Sequence, residues 1–164
     1  SVAGTYLDAA YTDFPNAPCW TVNGTDPVDR GNCIGRGTPD AFRDASGDTN
    51  MFSPEWAYNI NIDYRMPLGS SLEARGTFNV NYSDEFFAAS DLDVIYALQE
   101  SYTMYDLRLS LGRQDGLWDV ALVGKNLTDE LISGNTNDQP LVPGNGFAST
   151  ERRRSYALQA TYRF

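Results

Sequence analysis

Six segments of the chain alternate between apolar and polar residues, and this alternation predicts β-strands with two unlike faces. The segments lie near residues 2–12, 55–66, 72–82, 102–112, 117–127 and 153–164. In the second of them, WAYNINIDYRM, every even position from Trp56 to Met66 is apolar, and most odd positions are asparagine, aspartate or arginine. No segment shows the 3.6-residue period of an amphipathic helix. The pattern therefore predicts an all-β protein.

Two tight turns, PLGSS and GRQDG, each join two of these strands and predict two antiparallel hairpins. In the first hairpin we expect Met66 to face Leu72. This register creates two opposite-charge pairs across the strands, Arg65 with Glu73 and Asp63 with Arg75. Such pairs stabilise a register by roughly 0.2–1 kcal/mol each. In the second hairpin we expect Asp106 to lie close to Lys125.

The first and last strands follow the same alternation. In the first strand the expected apolar face consists of Leu7, Ala9 and Tyr11. In the last strand the apolar positions are Tyr156, Leu158, Ala160, Tyr162 and Phe164. The sequence therefore ends on an aromatic residue, Phe164, which is unexpected at the end of a chain that is otherwise strongly polar.

The connections between strands alternate in length and differ in charge. Residues 13–51, 83–100 and 127–151 form long connections, whereas the two hairpin turns are tight, so one end of the sheet is expected to be elaborate and the other trimmed. The long connections carry fifteen acidic residues and three arginines, and the whole chain has a net charge of −10. This charge disfavours nucleic acid as a partner, because phosphates bind clusters of Lys and Arg.

A period of two does not by itself decide what the apolar faces contact. In a soluble sandwich they pack against each other, whereas in an outer-membrane barrel they contact lipid and the polar faces line a lumen. Long strands, aromatic residues near the strand ends, one elaborate end and charges confined to the other face all favour the barrel. The residues expected to face the lumen are Asp63, Arg65, Glu73, Arg75, Asn79, Asn81, Asp106, Arg108 and Lys125.

Six strands are too few for a transmembrane barrel. At a spacing of about 4.8 Å and a tilt of about 40°, they would enclose a barrel only about 12 Å across, too narrow for its interior side chains. Single-chain outer-membrane barrels start at about eight strands, so we expect further strands before Ser1. The sequence has no apolar run of the roughly 20 residues that a membrane-spanning helix needs, and its first residues do not resemble a signal peptide.

Residues 120–130, VALVGKNLTDE, resemble a motif of TonB-dependent outer-membrane receptors, in which the penultimate strand runs into G-K-N-L-T-D-E before a long extracellular loop. Further similarity lies in YTDFPNAPCW, in MFSPEWAYNINIDY and in the arginine-led last strand that ends in YRF. The resemblance covers nearly the whole chain. GKNLTDE is its more specific element, because a terminal aromatic residue is shared by outer-membrane barrels generally.

The resemblance implies that the chain forms the last six strands of a 22-stranded barrel in the outer membrane of a Gram-negative bacterium. It also implies an N-terminal plug and the TonB complex as the energy source, although plug and TonB-contacting segment are absent from this sequence. In such barrels the assembly machinery reads the last strand, a role that would fall to Tyr156, Leu158, Tyr162 and Phe164. Lipid and lipopolysaccharide are the implied surroundings.

Cysteine and histidine content limits the chemistry that the chain can perform. Cys19 and Cys33 are expected to form a disulfide in an oxidising compartment, and closure of a loop of about 15 residues would stabilise the fold by roughly 3 kcal/mol. Two unrelated free thiols are the alternative. The sequence has no histidine, and we expect no metal site, no cofactor and no enzymatic activity. The acidic run SDEFFAASDLD lacks the spacing of a calcium loop and is expected to be a solvated loop.

The resemblance makes a ferric siderophore or a similar iron complex the expected substrate, ahead of haem, cobalamin and oligosaccharides. Acidic loops disfavour anionic ligands, although screening beyond about 8 Å weakens this repulsion. The alternatives are a passive porin, a purely structural barrel and a secreted β-sandwich that binds a ligand. Two roles are open to Arg152, Arg153 and Arg154, namely contact with lipopolysaccharide phosphates or balance of the acidic loops. Phe86, Phe87 and Tyr96 either contact substrate or fold back on the barrel mouth.

Overall fold

The computed structural model describes residues 1–18, 34, 42–89, 97–138 and 146–164. Over these ranges the secondary structure consists of β-strands, with no helix. The strands are β1 (Val2–Tyr6), β2 (Ala17–Pro18), β3 (Phe42–Arg43), β4 (Trp56–Leu68), β5 (Leu72–Ser83), β6 (Phe86–Phe87), β7 (Leu98–Gln99), β8 (Tyr102–Arg113), β9 (Trp118–Lys125), β10 (Ser133–Asp138), β11 (Gly146–Thr150) and β12 (Ser155–Tyr162). The all-β prediction is confirmed.

One six-stranded antiparallel sheet dominates the structure, in the order β1-β4-β5-β8-β9-β12. Each of its strands corresponds to one of the six alternating segments of the sequence. Neighbours in the sheet follow one another along the chain once the short strands are set aside, so the sheet is an up-and-down meander. Strands β1 and β12 form its two edges.

The three long connections lie at the same end of the sheet, and each contains a small two-stranded sheet of its own. These are β2 with β3, β6 with β7, and β10 with β11. Backbone hydrogen bonds also join one connection to the next, since Phe52 N–H donates to Phe87 O at 2.9 Å and Thr136 N–H donates to Ala88 O at 3.1 Å. The three connections therefore form a joined layer over one end of the main sheet.

The two faces of the main sheet differ in exposure. The apolar face is open, and Leu109, Leu122 and Leu158 at its middle are 53%, 58% and 75% exposed. On the opposite face, Asp106 and Ser110 are both 9% exposed. Among the described residues, the buried apolar side chains are small ones and a single isoleucine, namely Ala17, Ala45, Ala88, Ala97, Ala121 and Ile132. The sheet thus exposes its large apolar side chains, whereas on the polar face the middle is buried and residues nearer the first hairpin turn, such as Asp63 and Arg65, are exposed.

Strand β1 is shorter than the sequence predicts, and the expectation that it extends to residue 12 is wrong. It ends at Tyr6, where it pairs with Trp56, the first residue of β4. The partner segment interrupts the ladder, because Pro54 lacks an N–H and Phe52 has φ 54°, and pairing resumes only as an isolated bridge between Ala10 and Thr49. The apolar face of β1 is therefore made by the even positions Val2 and Tyr6, and Leu7, Ala9 and Tyr11 lie beyond the strand.

The predicted register of the first hairpin is also wrong, by two residues. Leu68 pairs with Leu72, and the three-residue turn between them begins with Gly69 at φ 69°. Arg65 therefore faces Arg75 instead of Glu73. Arg75 pairs instead with Glu73, two residues before it on β5. Because the shift is an even number of residues, every side chain stays on its predicted face.

The other half of the expected charge pairing is replaced by a neutral contact. Asp63 lies opposite Thr77 and accepts a hydrogen bond from its hydroxyl at 2.7 Å. Arg65 has no ion-pair partner among the described residues. The charge pairs predicted from the sequence therefore do not set the register of this hairpin. The tight turn that begins at Gly69 sets it.

Gly112 in β8 permits a close approach between the strands of the second hairpin. A Cβ atom added there would lie 2.6 Å from Trp118 O and 2.8 Å from Asp119 Cβ. We expect Gly112→Ala to destabilise the fold by about 1–3 kcal/mol, because backbone atoms must move to make room. Urea unfolding followed by tryptophan fluorescence measures this effect.

Gly76→Ala is the matched control for that substitution. The nearest atom to an added Cβ at Gly76 is Leu109 Cδ2 at 3.5 Å, an ordinary contact. We expect this variant to change the free energy of unfolding by less than about 0.5 kcal/mol. Equal stability of the two variants would show that the spacing at Gly112 imposes no constraint.

Candidate functional site

The polar face of the main sheet brings all nine predicted lumen residues to one side. Asp63 and Arg65 lie on β4, Asp106 and Arg108 on β8, and Lys125 ends β9, with four more on β5 between them. The strand register places these residues next to one another across the sheet, and Asn79, for example, lies opposite Asp106. The four on β5 are Glu73, Arg75, Asn79 and Asn81.

Asparagines form two cross-strand amide pairs on this face. Asn59 Nδ2 donates to Asn81 Oδ1, and Asn61 Nδ2 donates to Asn79 Oδ1, both at 2.6 Å. Each pair lies directly opposite across β4 and β5. Sequence reasoning placed all four side chains on the polar face but did not predict that they bond to one another. The signal was present, because two asparagines recur at a spacing of two in both strands.

Charged residues on the same face are mostly paired. Arg108 donates to Asp119 at 2.9 Å and to the Ser110 hydroxyl at 2.9 Å. Lys125 Nζ donates to Asp106 Oδ2 at 2.7 Å, which confirms the proximity predicted for these two residues. Most of the charges on this face thus compensate one another within the sheet.

Asn126, which follows β9, organises the G-K-N-L-T-D-E segment. It is 2% exposed and has φ 50°, a left-handed conformation that asparagine tolerates better than most residues. Its amide group donates to Glu130 O at 2.9 Å and to Arg152 O at 3.2 Å, and it accepts from Glu130 N–H at 2.9 Å. Its backbone N–H donates to Asp106 Oδ1 at 2.9 Å. One side chain therefore ties the turn after β9 to the segment before β12.

Asp129, in the same turn, holds the start of the last strand. Its carboxylate accepts hydrogen bonds from the Arg153 guanidinium at 3.1 and 3.0 Å and from Arg154 N–H at 3.0 Å. These bonds, the one from Arg153 first, keep the pKa of Asp129 below its ordinary value. Two of the three arginines at this position are thus engaged by the turn.

We expect stability to fall at acidic pH through Asp129. Because its pKa is lower in the folded state than in the unfolded state, its contribution is present above the ordinary aspartate pKa of about 3.9 and is lost as pH falls through the folded value. Thermal unfolding between pH 7 and pH 3 should show a smaller loss for Asp129→Asn than for the parent chain.

Asp44 is the group that could obscure this result, since hydrogen bonds from Ser46 lower its pKa as well. The comparison of Asp129→Asn with the parent removes that contribution, because both chains retain Asp44. Identical pH profiles for the two chains would contradict the role given to Asp129.

A cavity of about 500 Å³ opens between the polar face and the layer of long connections. Its floor is formed by the Asp106–Lys125 pair, and its walls include the rings of Phe52, Phe86 and Tyr102. The described residues on its apolar side also include Met104 and Ile132, and its rim includes Glu151 and Arg152. No sequence pattern predicted this cavity, because its wall residues come from β8 and from different connections.

The remaining predicted residues are placed as follows. Tyr156, Leu158 and Tyr162 line the exposed apolar side of β12, and Phe164 is fully exposed at the chain end. Phe86 folds back against Phe52, with ring centroids 5.9 Å apart. Cys19, Cys33 and Tyr96 lie outside the described residues. Within the described ranges, no cluster of three or more His, Cys, Asp or Glu side chains is arranged to hold a metal ion.

Comparison with known proteins adds no assignment. The sequence matches no protein-family model and no curated protein, and the structure matches no solved structure. In the part of the chain that the structure describes, no helix is sufficiently long and apolar to cross a bilayer.

Proposed function

We propose that this chain belongs to an outer-membrane β-barrel receptor that takes up a scarce large solute, with energy supplied by the TonB complex. The observation that carries the proposal is the exposure of the large apolar side chains on one face of a six-stranded antiparallel sheet, while residues at the middle of the opposite face, such as Asp106 and Ser110, are buried. A water-soluble sheet buries its apolar face, because each large side chain left in water forgoes about 1.5–3 kcal/mol. An apolar face of this kind is stable in contact with lipid, and this supports an outer-membrane setting.

Aromatic pairs along the end of the sheet that carries the long connections support the membrane setting. Tyr6 and Trp56 have ring centroids 4.7 Å apart, and Tyr58 and Tyr82 stack at 4.7 Å. Further along the row, Phe78 stacks on Tyr105 at 5.7 Å. Rings that are partly apolar and partly polar favour the level of lipid headgroups, and outer-membrane barrels carry girdles of them.

Aromatic residues also lie at the opposite end of the sheet. Trp118 pairs with Tyr162 across β9 and β12, and the rings of Tyr162 and Phe164 are 6.3 Å apart. Between the two aromatic ends lie aliphatic residues such as Leu109, Leu122 and Leu158. The distribution matches an aliphatic band between two girdles.

The lengths of the three central strands, β4, β5 and β8, are consistent with a bilayer, whereas β1, β9 and β12 are shorter. Strand β4 has 13 residues. At about 3.3 Å per residue and a tilt of about 45°, such a strand spans roughly 30 Å along the membrane normal, close to an apolar band of about 25 Å. The average soluble strand, with about 5–6 residues, is less than half as long.

For the substrate we propose an iron complex of the siderophore type, on the strength of the resemblance around GKNLTDE. The layer of long connections and the cavity beneath it provide a place where a large solute can be held before it enters the lumen. A passive porin or a structural barrel would share the apolar face but not require energy from TonB. A secreted β-sandwich would need a second sheet over Leu109 and its neighbours.

Fractionation of the native protein tests the membrane part of the proposal. We expect it in the outer-membrane fraction, solubilised only by detergent and migrating anomalously on gels before boiling. Uptake of a labelled ferric siderophore should then depend on the protein and on TonB. Recovery of a soluble protein without detergent would refute the barrel, and uptake independent of TonB would favour a porin.

A further inference from the structure

We propose that the cavity between the polar face and the long connections binds a ligand that is uncharged or zwitterionic and that carries a ring with hydroxyl or amide groups. This inference rests on the proposed function and restricts the substrate to ligands without net charge. The restriction applies equally to iron complexes and to ligands without iron. It is argued from the chemistry of the cavity walls, floor and rim.

The walls provide aromatic surface for a ring. Phe52 and Phe86 lie side by side with their planes at 44°, and Tyr102 and Met104 line the same cavity. Phe52 is part of the cavity wall and is 45% exposed, so part of its ring is accessible to a ligand. Stacking on such rings is favourable for planar groups and for the apolar faces of sugars.

The floor presents a charge pair that is already neutralised. Asp106 uses one carboxylate oxygen for Lys125 Nζ and the other for Asn126 N–H. Lys125 therefore offers its two remaining N–H groups as donors without a net positive charge at the floor. An anion at Lys125 would compete with Asp106 for the same ammonium group, and Asp106, whose side chain is only 12% exposed, would lose part of its counter-charge.

The rim repeats this balance. Glu151 and Arg152 are adjacent in the chain and both line the opening. Together with the floor pair they give the described lining two acidic and two basic residues, and hence no net charge. A ligand with a large net charge would lose its hydration in an aromatic-lined space without gaining a matching counter-charge.

Polar groups that remain available indicate what the ligand must offer. Lys125 provides donors, Glu151 provides acceptor oxygens, and the Ser133 hydroxyl provides both. These groups are matched by hydroxyls and amides. The cavity volume of about 500 Å³ lies within the range of ordinary small-molecule sites.

Two fluorescent probes test the charge preference on the purified protein in detergent. They are 4-methylumbelliferyl β-glucoside, which is neutral, and 4-methylumbelliferyl β-glucuronide, which differs by a carboxylate in place of a hydroxymethyl group. We expect the glucoside to bind about tenfold more tightly than the glucuronide. Equal or tighter binding of the glucuronide, or no binding of either probe, would overturn the proposal.

Substitutions at the rim and the wall test where the probes bind. Glu151→Gln should raise the affinity for the glucuronide severalfold and Arg152→Gln should lower it, each with little effect on the glucoside. Phe86→Ala should weaken both probes about fivefold, whereas Phe147→Ala, an exposed ring outside the cavity lining, should not. Unchanged binding by Phe86→Ala would place the probes elsewhere and overturn the assignment.

A second wall variant, a folding check and two iron complexes complete the binding experiments. Phe52→Ala is a second wall variant, in case Phe86→Ala fails to fold, and each variant is first checked for the β-sheet circular dichroism of the parent. A ferric tris-hydroxamate without net charge and a ferric tris-catecholate with three negative charges extend the comparison to iron complexes. These assays use purified protein, so a negative binding result overturns the ligand proposal and leaves the outer-membrane proposal standing. The outer-membrane proposal is tested separately, by the fractionation of the native protein.

Discussion

Leu109→Arg is expected to destabilise the protein by about 2–4 kcal/mol if the apolar face of the sheet lies in a membrane. Leu109 lies on the apolar face of β8, 53% exposed, opposite Gly76 on one neighbouring strand and Leu122 on the other. If this face contacts hydrocarbon, a guanidinium there must lose its water or distort the bilayer. Denaturant unfolding from phospholipid vesicles measures the change.

The same substitution has a different expected result if the protein is soluble. An exposed leucine replaced by arginine on a water-facing surface changes stability by only about 0.5 kcal/mol in either direction. Leu109→Met, which keeps the side chain apolar, is the matched control and should be close to neutral in both settings. A small effect of arginine in vesicles would argue that the exposed face meets water or another protein layer.

The six main strands could be predicted from the sequence because the pleat of a strand converts a period of two directly into two faces. The predicted faces are correct for the five strands other than β1, even where other details are wrong. In the first hairpin the register differs by two residues, which leaves the faces of β4 and β5 unchanged. The register itself depends on the positive φ of Gly69, which alternation cannot reveal.

The first strand shows the opposite case, where alternation was misleading. Leu7, Ala9 and Tyr11 form an apolar alternation at odd positions, but β1 ends at Tyr6 and its apolar face consists of even positions, because the partner segment leaves the ladder before Trp56. Strand ends are set by the partner as much as by the strand. A single sequence does not contain that information until the pairing is known.

The cavity and the turn around Asn126 depend on contacts between residues distant in the chain. Asn126 bonds to Arg152 O, 26 residues later, and Phe52 meets Phe86 across two connections. The motif GKNLTDE could be noticed in the sequence, and the proximity of Asp106 to Lys125 could be predicted from the hairpin. The side-chain hydrogen bonds that give the motif its rigidity could not.

Asn126→Ala is expected to destabilise the fold by about 2–4 kcal/mol. The substitution leaves Glu130 N–H, Glu130 O and Arg152 O without the side chain that now satisfies them, and each lost bond costs about 0.5–1.5 kcal/mol. It also places alanine at φ 50°, a conformation that disfavours residues with a Cβ. Equilibrium unfolding in detergent, at one protein concentration, measures the loss.

Asn126→Gly and Asn137→Ala separate the two causes. Glycine adopts the left-handed conformation without steric cost, so Asn126→Gly should be about 1 kcal/mol more stable than Asn126→Ala while still lacking the hydrogen bonds. Asn137 is exposed, and within the described ranges its amide donates one hydrogen bond, at 3.3 Å to Asn135 Oδ1, so its replacement by alanine should be nearly neutral. If Asn126→Gly recovered full stability, the backbone conformation alone would be what this asparagine provides. If Asn126→Ala matched Asn137→Ala, the turn would not tie β9 to β12 at all.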